Sequence, residues 1–411
     1  MQPAHLPPDH PHIRLHGLDA VRGLALILGV VAHSALSFLT GPQVWVVADV
    51  DRSTTLNIAF FVIHPMRMSV FFLIAGFFGR LMFHRIGGKA FLVDRLKRIV
   101  VPLVLGWPLV IGAIVLVIMA GDGVSQGSAM PAFSHGGFSL THLWFLYVLV
   151  IFYAAVLVLR GTVARLDPGQ RFRRAVDGAV AGILGPWGAL LLAVPVALAL
   201  YRHPDWIMWF GIPTPDKSLR PNAAALVAYG LSFGVGWLAQ RQMTPLLGRW
   251  ERQWPWHLGV ACAATVGCLM MVGVEPALTL APRSSATLWY AAAYALAAWS
   301  WTFALLGMGL RFLGGYSPVR RYLADASYWV YIAHLPLVMA LQVAVAPWGL
   351  PWQIKFPAIL ATAFAVLLLS YHYLVRPTLI GAVLNGRRYR RRPVEGEPRA
   401  EPKVVQSGRV E

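Results

Sequence analysis

The chain has 411 residues, of which 57% are hydrophobic and only 13% charged, with a mean hydropathy of +0.61. A soluble protein of this length carries about twice that charged fraction, so the composition excludes a soluble enzyme and describes a polytopic membrane protein. The net charge of +18 gathers in alternate loops and no RNA- or DNA-binding motif accompanies it, so nucleic acid is not expected as a partner.

Residues 1–14 are rich in Pro and His and lack the basic-then-apolar layout of a cleavable signal, so the first apolar stretch is expected to remain as a signal anchor. About ten apolar stretches follow, near 18–39, 55–82, 99–120, 142–160, 182–201, 222–240, 256–274, 287–310, 322–346 and 356–380. Each approaches the roughly 20 residues that cross a ~30 Å hydrocarbon core at ~1.5 Å per residue. The fold class predicted is therefore all-α, a polytopic bundle of transmembrane helices. No internal repeat divides it. The expected organisation is a short disordered segment over 1–14, one integral domain over 15–385, and a basic, disordered tail over 386–411 that adheres to anionic lipid.

Orientation follows from the basic residues. The 80–98 loop holds Arg80, Arg85, Lys89, Arg95, Lys97 and Arg98, and the 160–181 loop holds Arg160, Arg165, Arg171, Arg173 and Arg174, whereas the intervening loops carry few. This asymmetry predicts a multi-pass membrane chain with both termini and the arginine-rich loops cytoplasmic. On the opposite side, THLWFLY at 141–147 and PDWIMWF at 204–210 are expected to seat Trp and Tyr at the membrane interface. Cys262 and Cys268 share one apolar segment and suit neither a disulfide nor a zinc site.

The first span, LDAVRGLALILGVVAHSALSFL, carries Arg22 and His33. Eleven steps of about 100° bring both to one face, about 16 Å apart in depth. Such groups are costly in a span and face a bundle interior or a wet cavity. Arg22, near the cytoplasmic end, also has Asp19 within pairing distance at i, i+3. The second span brings in His64 and, one turn deeper, Arg67; the ninth brings His334 to a similar depth. Three histidines and an arginine thus converge from three helices, as a reaction centre or a proton relay would require. Just inside the membrane, FLVDRLKRIVVP places Arg95, Lys97 and Arg98 at the start of the third span, where they serve topology and anionic lipid or clamp a phosphorylated ligand. The chain lacks a phosphate-binding Walker loop, a dinucleotide glycine fingerprint, a HExxH metal motif and a GxSxG elbow. No metal site is expected, because the histidines have no carboxylate or thiolate partners at ligand spacing.

Taken together these residues resemble the acyltransferase-3 family of bacterial membrane O-acyltransferases across residues 14–380. The resemblance rests on Arg22 and His33 in an R-x10-H pattern and on Arg95 and Arg98 in an RxxR pattern. HPMRMSVFFLIAGFF at 64–78, HLWFLYVL at 142–149 and SYWVYIAHLPL at 327–337 look most like the branch that modifies periplasmic glucans, the glucan biosynthesis protein C type. Family members often carry Ser where this chain has Ala75, so no hydroxyl at that position joins the mechanism. The resemblance implies transfer of an acetyl- or succinyl-type group from cytoplasmic acyl-CoA to a hydroxyl of an extracytoplasmic glycan or lipid-linked sugar. No tightly bound cofactor is implied; acyl-CoA is the donor substrate, and membrane lipids are the surroundings. On that reading His33 is the principal base, with an acyl-imidazole relay through it as a variant. His64 and His334 orient the acceptor or shuttle protons, and Arg67 stabilises the oxyanion or binds a carboxylated acyl chain. Arg22, Arg95 and Arg98 hold the donor's phosphates, while Lys97 falls on a different helix face. A proton-coupled transporter or flippase of a sugar-linked substrate would also bury His and Arg, and a scaffold of a glycan-assembly complex would use the basic tail. Against the transporter stand few carboxylates within the spans and no two-half symmetry.

Overall fold

The computed structural model describes residues 15–121 and 139–386. The N-terminal segment, most of the Gly-rich loop before residue 139 and the basic tail lie outside the described residues. Every regular element among them is helical: α1 (His16–Ala35), α2 (Thr54–Ile86), α3 (Gly88–Arg95), α4 (Val101–Ala120), α5 (Trp144–Leu166), α6 (Arg171–Ile183), α7 (Gly188–Arg202), α8 (Ala223–Ala239), α9 (Met243–Val272), α10 (Ser285–Leu313), α11 (Pro318–Val345), α12 (Trp352–Ser370) and α13 (Leu379–Asn385). A π-helical turn, Leu96–Val100, joins α3 to α4, and a second, Tyr371–Val375, ends α12.

Eight helical stretches among the described residues are long and apolar enough to cross a bilayer, and α6 with α7, bent by 102°, supplies another. One of the eight, Ala223–Val272, has 50 residues. At ~1.5 Å each these would reach about 75 Å, far beyond a ~30 Å core, so α8 and α9 are separate crossings on either side of the 3-10 turn Gln240–Gln242. That brings the crossings to the number expected from the sequence. Two starts differ most, and α5 runs on to Leu166, beyond the expected 160. The fifth crossing begins at Gly188 rather than 182, because the chain turns sharply after α6, a helix with no buried residue that occupies part of the expected 160–181 loop. The seventh begins at Met243 rather than 256, since Arg249, Glu251 and Arg252 interrupt the apolar pattern while the helix runs on, with Leu246 and Trp250 still buried against the bundle.

The connections sort into two ends. At one, the loops are hydrogen-bonded to each other: Leu140 N donates to Asp216 O at 2.7 Å, Ala281 N to Trp206 O at 2.7 Å, and Trp352 N to the Asp51 carboxylate at 2.7 Å. The Lys355 ammonium lies 2.5 Å from Asp49, with both side chains 1% exposed. The opposite end is rich in arginine, with Arg241 on Asp177 and Arg311 on Glu251.

Small residues set the closest crossings, as membrane bundles require in the absence of a hydrophobic drive between helices. A Cβ at Gly236 of α8 would fall 1.9 Å from Leu73 O of α2, and one at Gly17 of α1 would fall 2.7 Å from Gly309 O of α10. The tryptophans expected at the interface turn inward instead. Trp206 and Trp209 are 1% and 2% exposed and Trp144 is 5% exposed. Trp206 donates to Gly211 O at 2.7 Å, and Ile207 pairs with Leu280 in an isolated bridge, so the 203–222 loop folds over the bundle rather than lying in the headgroups.

Candidate active site

One large cavity, of about 2060 Å³, runs between α1, α2, α5 and α11. Its lining includes Arg22, Arg95, Arg98 and Arg321 at the basic end and Asp216, Lys217 and Arg220 at the loop end. Between them stand His33, His64, Arg67, His142, Tyr331 and His334. The stretch from the basic end to the imidazoles is apolar, walled by Leu26, Phe71, Ile74, Ala75 and Leu149. A polar layer is thus suspended at mid-bundle, with a greasy passage on one side and a polar mouth on the other.

His33 sits on the last turns of α1. Its ring lies 5.2 Å from that of His334 and 6.0 Å from that of Trp45. His334 is 4% exposed, and its Nδ1 is 2.8 Å from Tyr331 O and 3.1 Å from Val330 O on its own helix. Carbonyls only accept, so Nδ1 carries a proton, which leaves Nε2 as the nitrogen turned away from the helix backbone. The His33 Nδ1 is buried without a hydrogen-bond partner among the described residues. Arg67 crosses to α1 at Gly29, one turn below His33: a Cβ there would meet the Arg67 Cδ at 3.5 Å and Nη1 at 3.9 Å. Among the described residues no carboxylate pairs with Arg67. A cation in a confined, mostly apolar space without a counter-ion is suited to an anionic group or a developing oxyanion. His64 stands apart from the His33–His334 pair; its ring stacks on Phe60 at 5.2 Å, and Phe60 stacks on Trp209 at 5.8 Å.

At the basic mouth the three arginines gather as the sequence suggests, but each is partly neutralised. Arg22 reaches Asp19 at 3.2 Å and Ala324 O at 3.5 Å. Asp94 serves both Arg95, at 2.5 Å, and Arg98, at 3.8 Å. Arg95 also lies over Phe91 and Tyr153, and Arg98 donates to Leu384 O at 3.2 Å. Tyr328 donates to the Arg98 carbonyl from α11. Lys97 is exposed and absent from the cavity wall, as its helix face implies. The π turn matters here. An extra residue per turn changes which side chains face inward, and both Arg95 and Arg98 line the cavity around it.

His142 is a member of this layer that the sequence does not single out. It is 8% exposed, its ring is 5.1 Å from that of His334, and its Nε2 is 3.1 Å from Ile332 O, while its Nδ1 has no partner among the described residues. Tyr331 donates to the His142 carbonyl at 2.7 Å. The only sequence signal is its place in HLWFLYVL, which has the composition of an interfacial aromatic segment; the preceding Thr141 at φ 48 is the backbone kink that turns it inward.

Comparison with known proteins identifies the family. The acyltransferase-3 model, which describes an acyltransferase domain, matches residues 15–374. Glucans biosynthesis protein C of Salmonella heidelberg (strain SL476) is 25% identical over 403 residues, covering 95% of this chain and 98% of the relative. The protein of the same name from Escherichia coli (strain SMS-3-5 / SECEC) is 30% identical over 146 residues, covering 34% of this chain and 37% of the relative, so that stretch spans little more than a third of its length. No solved structure matches. With the family model running through nearly all of the helical bundle, the chain belongs to the acyltransferase-3 family and is a membrane acyltransferase.

Proposed function

We propose that this enzyme transfers an acyl group, acetyl or succinyl in type, from cytoplasmic acyl-CoA to a hydroxyl of an extracytoplasmic glycan such as periplasmic glucan. The observation that carries the reading is the continuous cavity joining an arginine-rich mouth to a polar loop-end mouth through a layer of imidazoles. In this reading the basic end is cytoplasmic, both termini lie on that side, and the membrane is the bacterial inner membrane. Arg22, Arg95 and Arg98 bind the donor's phosphates. Arg22 and His33 are eleven residues apart on α1, so the rise is about 16 Å, comparable to the reach of an extended phosphopantetheine arm. The apolar wall suits that arm and keeps bulk water from the thioester.

The acceptor hydroxyl comes from the loop end. His33 takes its proton as the oxygen attacks the thioester carbonyl, and Arg67 faces the tetrahedral oxyanion. Collapse breaks the C–S bond, and the departing thiolate takes the proton from His33, leaving an ester and free CoA thiol. His334 and His64 orient the hydroxyl. General-base help of this kind is worth about 10²–10⁴-fold in rate.

The test is mass spectrometry of cell-envelope glycans from cells expressing the wild-type chain, His33→Ala or neither. An acyl increment present with the wild type and lost in His33→Ala, at equal amounts of membrane-inserted protein, is the expected result. Glycans of identical mass in all three would overturn the reading. Sugar flux across vesicles that is indifferent to acyl-CoA would point to the flippase instead.

A further inference from the structure

We infer that Gln342 is a positioning residue of the reaction centre, holding the last turn of α1 together with Trp45 so that the His33 imidazole faces the cavity. The inference rests on the proposed function only for which reaction is affected. Gln342 lies on α11, two turns beyond His334, and is 1% exposed. Its amide nitrogen donates to His33 O and to Ser34 O, each at 3.0 Å. Its amide oxygen accepts from the Trp45 indole at 2.9 Å. Both N–H groups and the oxygen of one carboxamide are thus committed to the two segments that flank the His33 ring.

The need for such a clamp follows from where α1 stops. α1 ends at Ala35 and passes into the 3-10 turn Leu36–Phe38, with Leu36 N–H on the His33 carbonyl, so inside a bundle core that excludes bulk water Gln342 supplies a second donor to His33 O and a donor to Ser34 O. An apolar side chain at 342 would take a partner from two buried acceptors and one buried donor. Trp45 is the outer wall of the His33 site, with His334 on the inner side. The 43–46 segment has few other ties among the described residues: Gln43 Nε2 donates to Trp45 O at 3.0 Å, and Asp49 is anchored by Lys355 three residues on. Remove Gln342, and His33 and Trp45 lose their common reference. A misplacement of about 1 Å at a reacting group costs on the order of 10²-fold in rate.

The test uses the purified full-length chain in detergent and reads each histidine's rate of modification by diethylpyrocarbonate, resolved by peptide mass spectrometry. In Gln342→Leu the His33 rate should fall about tenfold, the scale of one lost hydrogen bond's orienting effect, while exposed His84 and His372 react as before. Trp45→Phe, which keeps an aromatic ring but loses the pyrrole half with its N–H, should move His33 in the same direction by less. Acyl transfer in Gln342→Leu should lose kcat with the donor KM unchanged. An unaltered His33 rate in a monodisperse Gln342→Leu protein overturns the inference. Should that variant fail to fold, Gln342→Asn and Trp45→Phe replace it, and wild-type His33 reactivity in both overturns it equally. The modification readout needs no turnover, so failure of the proposed reaction and failure of the clamp are separable.

Discussion

Replacing Lys355 by methionine should destabilise the protein by about 3–5 kcal/mol, the range seen when one partner of a buried ion pair is removed. The structure supports the upper part of that range. Lys355 and Asp49 are each 1% exposed and 2.5 Å apart, and the ammonium also donates to Trp348 O at 3.0 Å. Without it, the Asp49 carboxylate retains, among the described residues, the Asp51 N–H at 2.9 Å, too little for a charge shut away from water. The double variant Asp49→Asn/Lys355→Met removes both charges at once and should lie within about 1–2 kcal/mol of wild type, because the desolvation cost disappears with the attraction. Equilibrium unfolding in mixed micelles, run as a double-mutant cycle, measures both quantities. The reasoning fails if Lys355→Met alone costs less than about 1 kcal/mol, or if adding Asp49→Asn gives no recovery. The functional readout travels with it: loosening this pair frees the loop carrying Trp45, so residual acyl transfer should fall more steeply with temperature than in the wild type.

Two further outcomes follow from the site. Arg67→Met should lower kcat by about 10²–10³-fold, the scale of a lost oxyanion donor, with Arg67→Lys retaining part of it; steady-state kinetics with an unchanged donor KM checks this. At the loop-end mouth, burial pushes the Asp216 carboxyl above its usual 3.8. The folded chain then holds a proton that the unfolded chain has released, so this contribution is full below 3.8 and is lost as pH rises through the folded value. Asp216→Asn should therefore gain melting temperature over wild type at about pH 7.5 and show no advantage near about pH 4; equal gains at both would refute the assignment.

The helices and their order are legible in the sequence because a bilayer leaves little choice: apolar length alone identifies a crossing, and the arginines mark one set of loops. Arg22, His33, His64, Arg67 and His334 are legible as cavity residues for a related reason, since a titratable group in a span has nowhere else to go. His142 is different. It stands at the start of a span, where a histidine in the headgroups costs nothing, and only the kink at Thr141 and the bond to Ile332 O bring it to His334. Trp206 and Trp209 have the composition of an interfacial belt, yet a bridge between distant loops draws them inward. The Asp49–Lys355 and Gln342–Trp45 contacts join residues some three hundred positions apart in the chain, a coupling that local periodicity does not register. The neutralisation of Arg95 and Arg98 by Asp94 is within reach of the sequence, one and four residues away, but choosing among partners requires the side-chain directions around the π turn.

The way α5 is held bears on how a bulky sugar gets in. Where α2 meets α8, glycine lets the backbones touch, and such a joint has no slack. By contrast α5 meets α2 and α8 largely through rings, with Phe145 tilted against Phe72 at 4.7 Å, Trp144 stacked on Tyr229 at 5.4 Å and Phe152 tilted against Phe233 at 5.6 Å, and it is tied to α2 where the Tyr153 hydroxyl donates to Ala75 O at 2.9 Å. Rings in tilted or offset contact can reorient with a modest change in packing, whereas backbones in contact cannot. Any widening for a bulky acceptor therefore falls to the ring contacts at the His142 end of α5, while Tyr153, bonded to Ala75 O, pins the other end to the helix that carries Arg67.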